Sequence, residues 1–337
     1  MNKYEKQVLI QELLHERNAV KELKQAFSES LKDVKNEIKL LKTQIDELQN
    51  KNAEDSLIRS KVYQLNYQQA LEESLTKNLR VLNTKNIDTI SKYLEKVYND
   101  NYLGAIYNLQ QKYKIPIFMP INSKLMVQAI MQPTEGYKFS ERLYEHISKL
   151  KETTKAEILR GIAQGKSYSE IAKRITEQYN TQYYNAYRIA RTEGGRVSTL
   201  SQLQSLDDSI EQGADLLKRW DATLDDRTRD VHGYLDGQIV EQNEMFEYPD
   251  GQVNAPFEFT GANSAALNIN CRCRLSLIPR SSVKNAASTR MSKQVVEVKK
   301  DKNGKEKIIT ENKIIEYQTY TEWKKEYLKQ IDNFRKK

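Results

Sequence analysis

The stretch TLDDRTRDVHGYLDGQIV (223–240) holds four aspartates, two arginines and one of the chain's three histidines. Downstream, NCRC (270–273) holds both of its cysteines. Two thiols and an imidazole are soft or borderline donors, a set that Zn²⁺ takes tetrahedrally with Asp, Glu or water in fourth place. His232, Cys271 and Cys273 are therefore candidate ligands of a structural zinc ion. Three other readings stay open. The thiols are buried and reduced, with a hydrogen-bonded histidine beside them; or one thiol is a nucleophile served by His232 and Asp225. The third is a metal nuclease that gathers Asp221, Asp225, Asp226 and Asp230 around Mg²⁺. Arg227 and Arg229 interleave with those acids and would pair with them, which counts against it.

Positioning these groups takes a short helix and a strand. Thr223 and Asp226 have the spacing of a capping box, and Gly233 suits a helix C-terminus. On that helix Asp225, Arg229 and His232 line one stripe, while Arg227 points elsewhere. LDGQIV then reads as an Asp-Gly turn into a strand. NCRCRLSLIP (270–279) alternates as a strand, with Cys271, Cys273, Leu275 and Leu277 on one face. A disulfide between cysteines two apart would be strained, and thiols among leucines are poorly reactive. Arg191, Glu193, Asp225, Asp226, Arg227 and Arg229 are expected to form a structural polar network.

Residues 1–103 contain neither Gly nor Pro. Ile10, Leu31, Ile38 and Ile45 share one heptad position, and Leu13, Val20, Phe27, Val34, Leu41 and Leu48 share its partner, a coiled-coil period. Arg17 and Lys24 interrupt the seam. QNKNAEDS (49–56) reads as a turn, with Asp55 or Ser56 capping a second helix over 57–82; a third follows over 87–102. Pairing is either an antiparallel hairpin or oligomeric. Gly104, Pro116 and Pro120 break the pattern, so 104–139 reads as a linker and crossing segment. A module over 140–280 follows. It opens on a helix over 140–164, then a short helix capped by Ser167 or Ser169, then a longer one over 181–204. Gly194 and Gly195 inside that longer helix imply a close neighbour. The fold class is mainly α with a small α+β module.

Charged residues make up 30% of the 337, and the formal net charge is +8. Residues 280–337 carry 16 Lys and Arg against 8 Asp and Glu, so the whole excess lies there. KQVVEVKKDKNGKEKIITENK (293–313) alternates around Asn303-Gly304, a hairpin signal. Trp323, Tyr327 and Ile331 then mark a short amphipathic helix. Residues 281–337 thus read as a basic hairpin-helix tail. Lys299, Lys300, Lys302, Lys305 and Lys307 at the hairpin tip are candidate contacts for double-stranded DNA. No run reaches the ~20 apolar residues of a membrane span. The N-terminus does not read as a signal peptide, and two cysteines fit a compartment that keeps thiols reduced.

ARTEGGR (190–196), WDATLDDRTRDVHGYLDGQIV (220–240), Pro256 and NCRC (270–273), in this order and spacing, resemble the phage Mu F-like head morphogenesis (minor capsid) proteins. The resemblance covers about 150–280. Its motif residues are Arg191, Thr192, Glu193, Trp220, Asp225, Asp226, Arg227, Arg229, His232, Leu235, Gly237, Asn270, Cys271 and Cys273. It implies a minor protein of a tailed-phage or prophage head. Such a protein docks on portal, capsid or scaffolding proteins and assists assembly, DNA packaging or delivery. Its place is the virion, after assembly in the host cytoplasm. Some members carry a fused toxin-like enzyme at the C-terminus; residues 280–337 are too few for one. A structural protein is therefore expected, with no catalytic residues and no cofactor unless the zinc. The rival is a nuclease or transferase carried in the virion and delivered with DNA.

Overall fold

The computed structural model describes residues 3–51, 56–117, 119–134, 136–164, 166–285, 289–300 and 306–335. It is mainly helical, with small antiparallel sheets toward the C-terminus. The chain divides into two compact units. One comprises Met1–Leu14, Leu94–Ile130 and Thr192–Lys337; the other comprises His15–Tyr93 and Met131–Arg191.

Helix α1 is Lys3–Lys51 and α2 is Ser56–Tyr113. In the second unit they run antiparallel, for Gln44 accepts from Tyr67, Asp33 from Asn78 and Glu29 from Lys85. Their seam is Ala19, Leu23, Ala26, Phe27, Val34, Ile38 and Leu41 against Leu71, Leu75, Leu79, Leu82 and Ile90, all buried. The heptad therefore holds from Phe27 to Leu41, whereas Ile10 and Leu13 are exposed. The division of residues 57–102 into two helices is corrected. The chain from Ser56 to Tyr113 is one helix, since no Gly or Pro interrupts 83–86 and the buried face continues through Asn86 and Ile90. Gly104 does not break it either; a Cβ there would strike Val8. The helix ends where Lys114 turns left-handed (φ 58°) ahead of Pro116.

The stretch read as a linker contains helix α3 (Ser123–Met131). Helix α4 is Phe139–Ala163. Helix α5 runs unbroken from Tyr168 to Glu211, joining the two helices read separately. Ser167 and Glu170 cap it reciprocally, each backbone N–H donating to the other's side chain. Gly161 lets Ile171 pack directly on α4.

The first unit holds a three-stranded antiparallel sheet in the order β2 (Ile239–Val240), β1 (Leu216–Asp221), β5 (Arg274–Pro279). Trp220 pairs with Leu275 and Lys218 with Leu277, placing these four on one face. Helix α6 (Asp230–Leu235) follows β1, and β3 (Phe246–Tyr248) pairs with β4 (Gly251–Val253). Helix α7 is Ser264–Asn268. Strands β6 (Thr289–Lys300) and β7 (Glu306–Glu316) form a hairpin with an irregularity at Val295/Glu297. Helix α8 (Tyr320–Arg335) buries Tyr320, Trp323, Tyr327 and Ile331 in one cluster with Leu224 and Val295. The hairpin and α8 thereby share a core with the motif loop. The Asn303-Gly304 turn, Asp55, Lys302 and Lys305 lie outside the described residues. No helix among the described residues is long and apolar enough to cross a membrane.

Candidate functional site

The helix over the motif begins later than its capping pattern indicates. Residues 222–229 form a loop, and α6 starts at Asp230 with Arg229 at its N-cap. Two side chains account for this. The Asp225 carboxylate accepts the backbone N–H of Arg227 at 3.0 Å, a local turn that competes with helix. The Thr223 hydroxyl donates instead to the carbonyl of Arg272, at 2.8 Å. The single stripe of Asp225, Arg229 and His232 is thus absent, and each of the three is committed to a different segment.

Asp225 takes the guanidinium of Arg272, with Nη2–Oδ1 at 2.7 Å and the other arm on Oδ2. Exposed Arg227 lies farther off, at 3.5 Å. Burial pushes the Asp225 carboxyl up, but Arg272 outweighs it and holds the group below the usual carboxylate range. Arg229 donates to the carbonyls of Leu267 (3.3 Å) and Ile269 (2.7 Å), tying the helix start to α7. Asp226 is exposed. Glu193 and Arg196 form a buried pair at 2.7 Å, and Arg196 also donates to the carbonyls of Ala129 and Ile130. Arg191 belongs to the other unit, where it contacts Tyr187 and Glu16. The acids proposed for a nuclease are dispersed. Asp221 takes both arms of Arg219 (2.9 and 3.0 Å), and exposed Asp230 meets Lys324 at 3.4 Å.

The uncharged motif residues close the same structure. The Thr192 hydroxyl accepts the N–H of Asn270, which turns left-handed (φ 55°) to lead into the cysteines. Gly237, at φ 85°, donates to the carbonyl of Trp220, and Trp220 donates back to the carbonyl of Gln238. Gly195 lies so close to Phe257 that a Cβ would overlap the ring, the neighbour its place in the helix implied.

His232, Cys271 and Cys273 converge, all buried. Nδ1 of the imidazole lies 3.1 Å from Sγ of Cys273 and 3.5 Å from Sγ of Cys271. The N–H of Cys273 donates to the Cys271 sulfur at 3.4 Å. The ring stacks on Phe259 (centroids 5.2 Å, 24° apart) and meets Trp220 edge-on. Burial raises both thiols. At Cys271 the hydrogen bonds from Cys273 and His232 and the nearby imidazole outweigh it and bring the thiol below its ordinary value, while at Cys273 the neighbouring Cys271 sulfur adds to burial and holds the thiol above it.

Two residues central to this region escaped sequence reasoning. Asp236, assigned to a turn, accepts from the N–H of Ala222 (2.6 Å), the N–H of Tyr320 (2.5 Å) and the fork of Arg290. Arg290 also donates to the carbonyls of Gln318 and Ala222. No local pattern pairs residues 54 apart; the one signal was a lone arginine opening an alternating strand.

A helix bearing Thr192 and Glu193, a strand carrying Trp220, a bonded aspartate loop and a Cys-x-Cys segment lie within one stretch of the chain. Residues 152–276, which include all four, match the family model of Phage Mu protein F like protein. The minor head protein GP7 of Bacillus phage SPP1 is 26% identical over 311 residues, covering 91% of this chain and 92% of its own length. The NAD(+)–arginine ADP-ribosyltransferase EFV of Enterococcus faecalis is 30% identical over 274 residues. That match covers 81% of this chain and 54% of the relative, so the chain spans about half of that protein's length. No solved structure matches the chain.

Proposed function

We propose that the chain is a minor structural protein of a tailed-phage or prophage head, docking at the portal or capsid and assisting assembly, DNA packaging or delivery. One observation carries this reading: the buried and half-buried ionic side chains Glu193, Asp225 and Arg229 of the motif bind arginines or backbone carbonyls. Asp225 holds Arg272, Glu193 holds Arg196, and Arg229 holds the end of α7. Catalytic acids and bases must instead face a substrate. The hairpin adds a basic element. Lys300 and Lys307 lie at the ends of the two strands, and among the described residues Lys299 pairs with exposed Glu297. Such exposed lysines exchange partners for phosphate readily. α1 and α2 supply the surface for the head partner, and the virion is the place of action. Quantitative mass spectrometry of purified heads, with crosslinking, tests the reading. A few copies per particle linked to portal support it; absence from particles overturns it.

A second reading rests on the Enterococcus relative, named as an ADP-ribosyltransferase. Under it the chain would deliver or constitute an enzyme. Since the match leaves 46% of that relative uncovered, the reading favours delivery of an activity housed elsewhere.

A further inference from the structure

The polar core leaves one buried constellation that head structure does not require. We propose that His232, Cys271 and Cys273 hold a zinc ion with three protein donors, the fourth position being filled by water. The inference is independent of the role in the head.

The donors already have nearly the right spacing. All three ligand atoms lie within 4.8 Å of one another, and the imidazole nitrogen is 3.1 and 3.5 Å from the two sulfurs. A tetrahedral zinc with Zn–S of about 2.3 Å and Zn–N of about 2.0–2.1 Å sets N···S near 3.6 Å and S···S near 3.8 Å. Opening the two N···S contacts toward 3.6 Å and bringing the sulfurs, now within 4.8 Å, toward 3.8 Å would admit the ion. Each donor is also held from outside the set. His232 is carried by α6, which Arg229 ties to α7. The cysteines follow the left-handed turn at Asn270, held by Thr192.

The chemistry selects the ion. Two thiolates and an imidazole suit zinc and reject Mg²⁺ and Ca²⁺, which want oxygen. The N–H of Cys273 on the Cys271 sulfur is the outer-shell bond a metal thiolate uses. The polar edge of the imidazole meets only the two sulfurs, and its Nε2 has no partner among the described residues. Phe259 and Trp220, not a hydrogen bond, fix the ring's orientation. The competing uses fit less well. A bridge between residues two apart is strained, and at 2–5% exposure neither the imidazole nor the thiols can meet a substrate.

The test uses the full chain without an affinity tag. Elemental analysis after purification free of added metal should find about one zinc per chain. The stripped protein titrated with Co²⁺ should develop thiolate-to-cobalt absorption in the near ultraviolet and the visible bands of a tetrahedral ion, saturating at one equivalent. His232→Ala and Cys273→Ser should lose at least tenfold in affinity. Wild-type chain that neither retains zinc nor gives the cobalt spectrum overturns the proposal, whatever the variants do. Folded variants that bind one ion as tightly as wild type overturn it as well.

Discussion

The guanidinium of Arg290 lies fork-to-fork against the carboxylate of Asp236, Nη1–Oδ2 and Nη2–Oδ1 both at 2.9 Å, with both side chains buried. This contact fastens the basic C-terminal hairpin to the end of α6, and the Tyr320 N–H on the same carboxylate fastens α8. Burial pushes the Asp236 carboxyl up even beside its partner, while Asp236 outweighs burial at Arg290 and holds its charge. Such a pair is costly to assemble and costlier to break. Arg290→Ala should lower unfolding stability by about 3–5 kcal/mol, with Arg290→Lys recovering only part because the fork is lost. Urea denaturation followed by tryptophan fluorescence reads this, since both tryptophans, Trp220 and Trp323, are buried in the folded protein.

Burial ranks the partners of Asp225. Arg272→Ala strands a carboxylate that is 3% exposed and should cost about 3–5 kcal/mol. Arg227→Ala removes a partner that is 69% exposed and should cost about 0.5 kcal/mol or less. Equal effects in thermal melts would mean that the loop is held some other way.

Acid should unfold this module through Asp225 and Asp221. Both carboxyls are held below their usual range by arginines that outweigh the burial penalty. A depressed folded pKa contributes stability that is complete above the unfolded value, about 4, and disappears as pH falls through the folded one. The stability-versus-pH curve should therefore drop below about pH 4. Asp225→Asn should flatten that drop while lowering stability at neutral pH.

Gly195→Ala should destabilise by about 1–3 kcal/mol through overlap with the Phe257 ring. In a double-mutant cycle Phe257→Ala should relieve much of that cost. Additive losses would show that the glycine is needed for another reason.

Local periodicity and capping were readable from sequence, and pairing across distance was not. The seam from Phe27 to Leu41, the Ser167–Glu170 box and the Trp323, Tyr327, Ile331 stripe each depend on residues within one or two turns. The heptad could not reveal that Ile10 and Leu13 stay exposed, because exposure depends on what lies opposite. The motif helix was placed too early because Thr223 and Asp225 also have longer-range partners, Arg272 in both cases. His232, Cys271 and Cys273 could be proposed as neighbours from donor chemistry alone. Asp236 and Arg290 could not, since an Asp-Gly turn explained the first and nothing local explained the second.

The central claim is that the ionic residues of the Mu F-like module build the protein and do not act on a substrate. Purified full-length chain incubated with duplex DNA and Mg²⁺, and separately with NAD⁺ and an arginine acceptor, tests it most directly. The account predicts no product above that of Asp225→Asn and His232→Ala variants. Turnover of either substrate that disappears in a variant still folded by circular dichroism would contradict it.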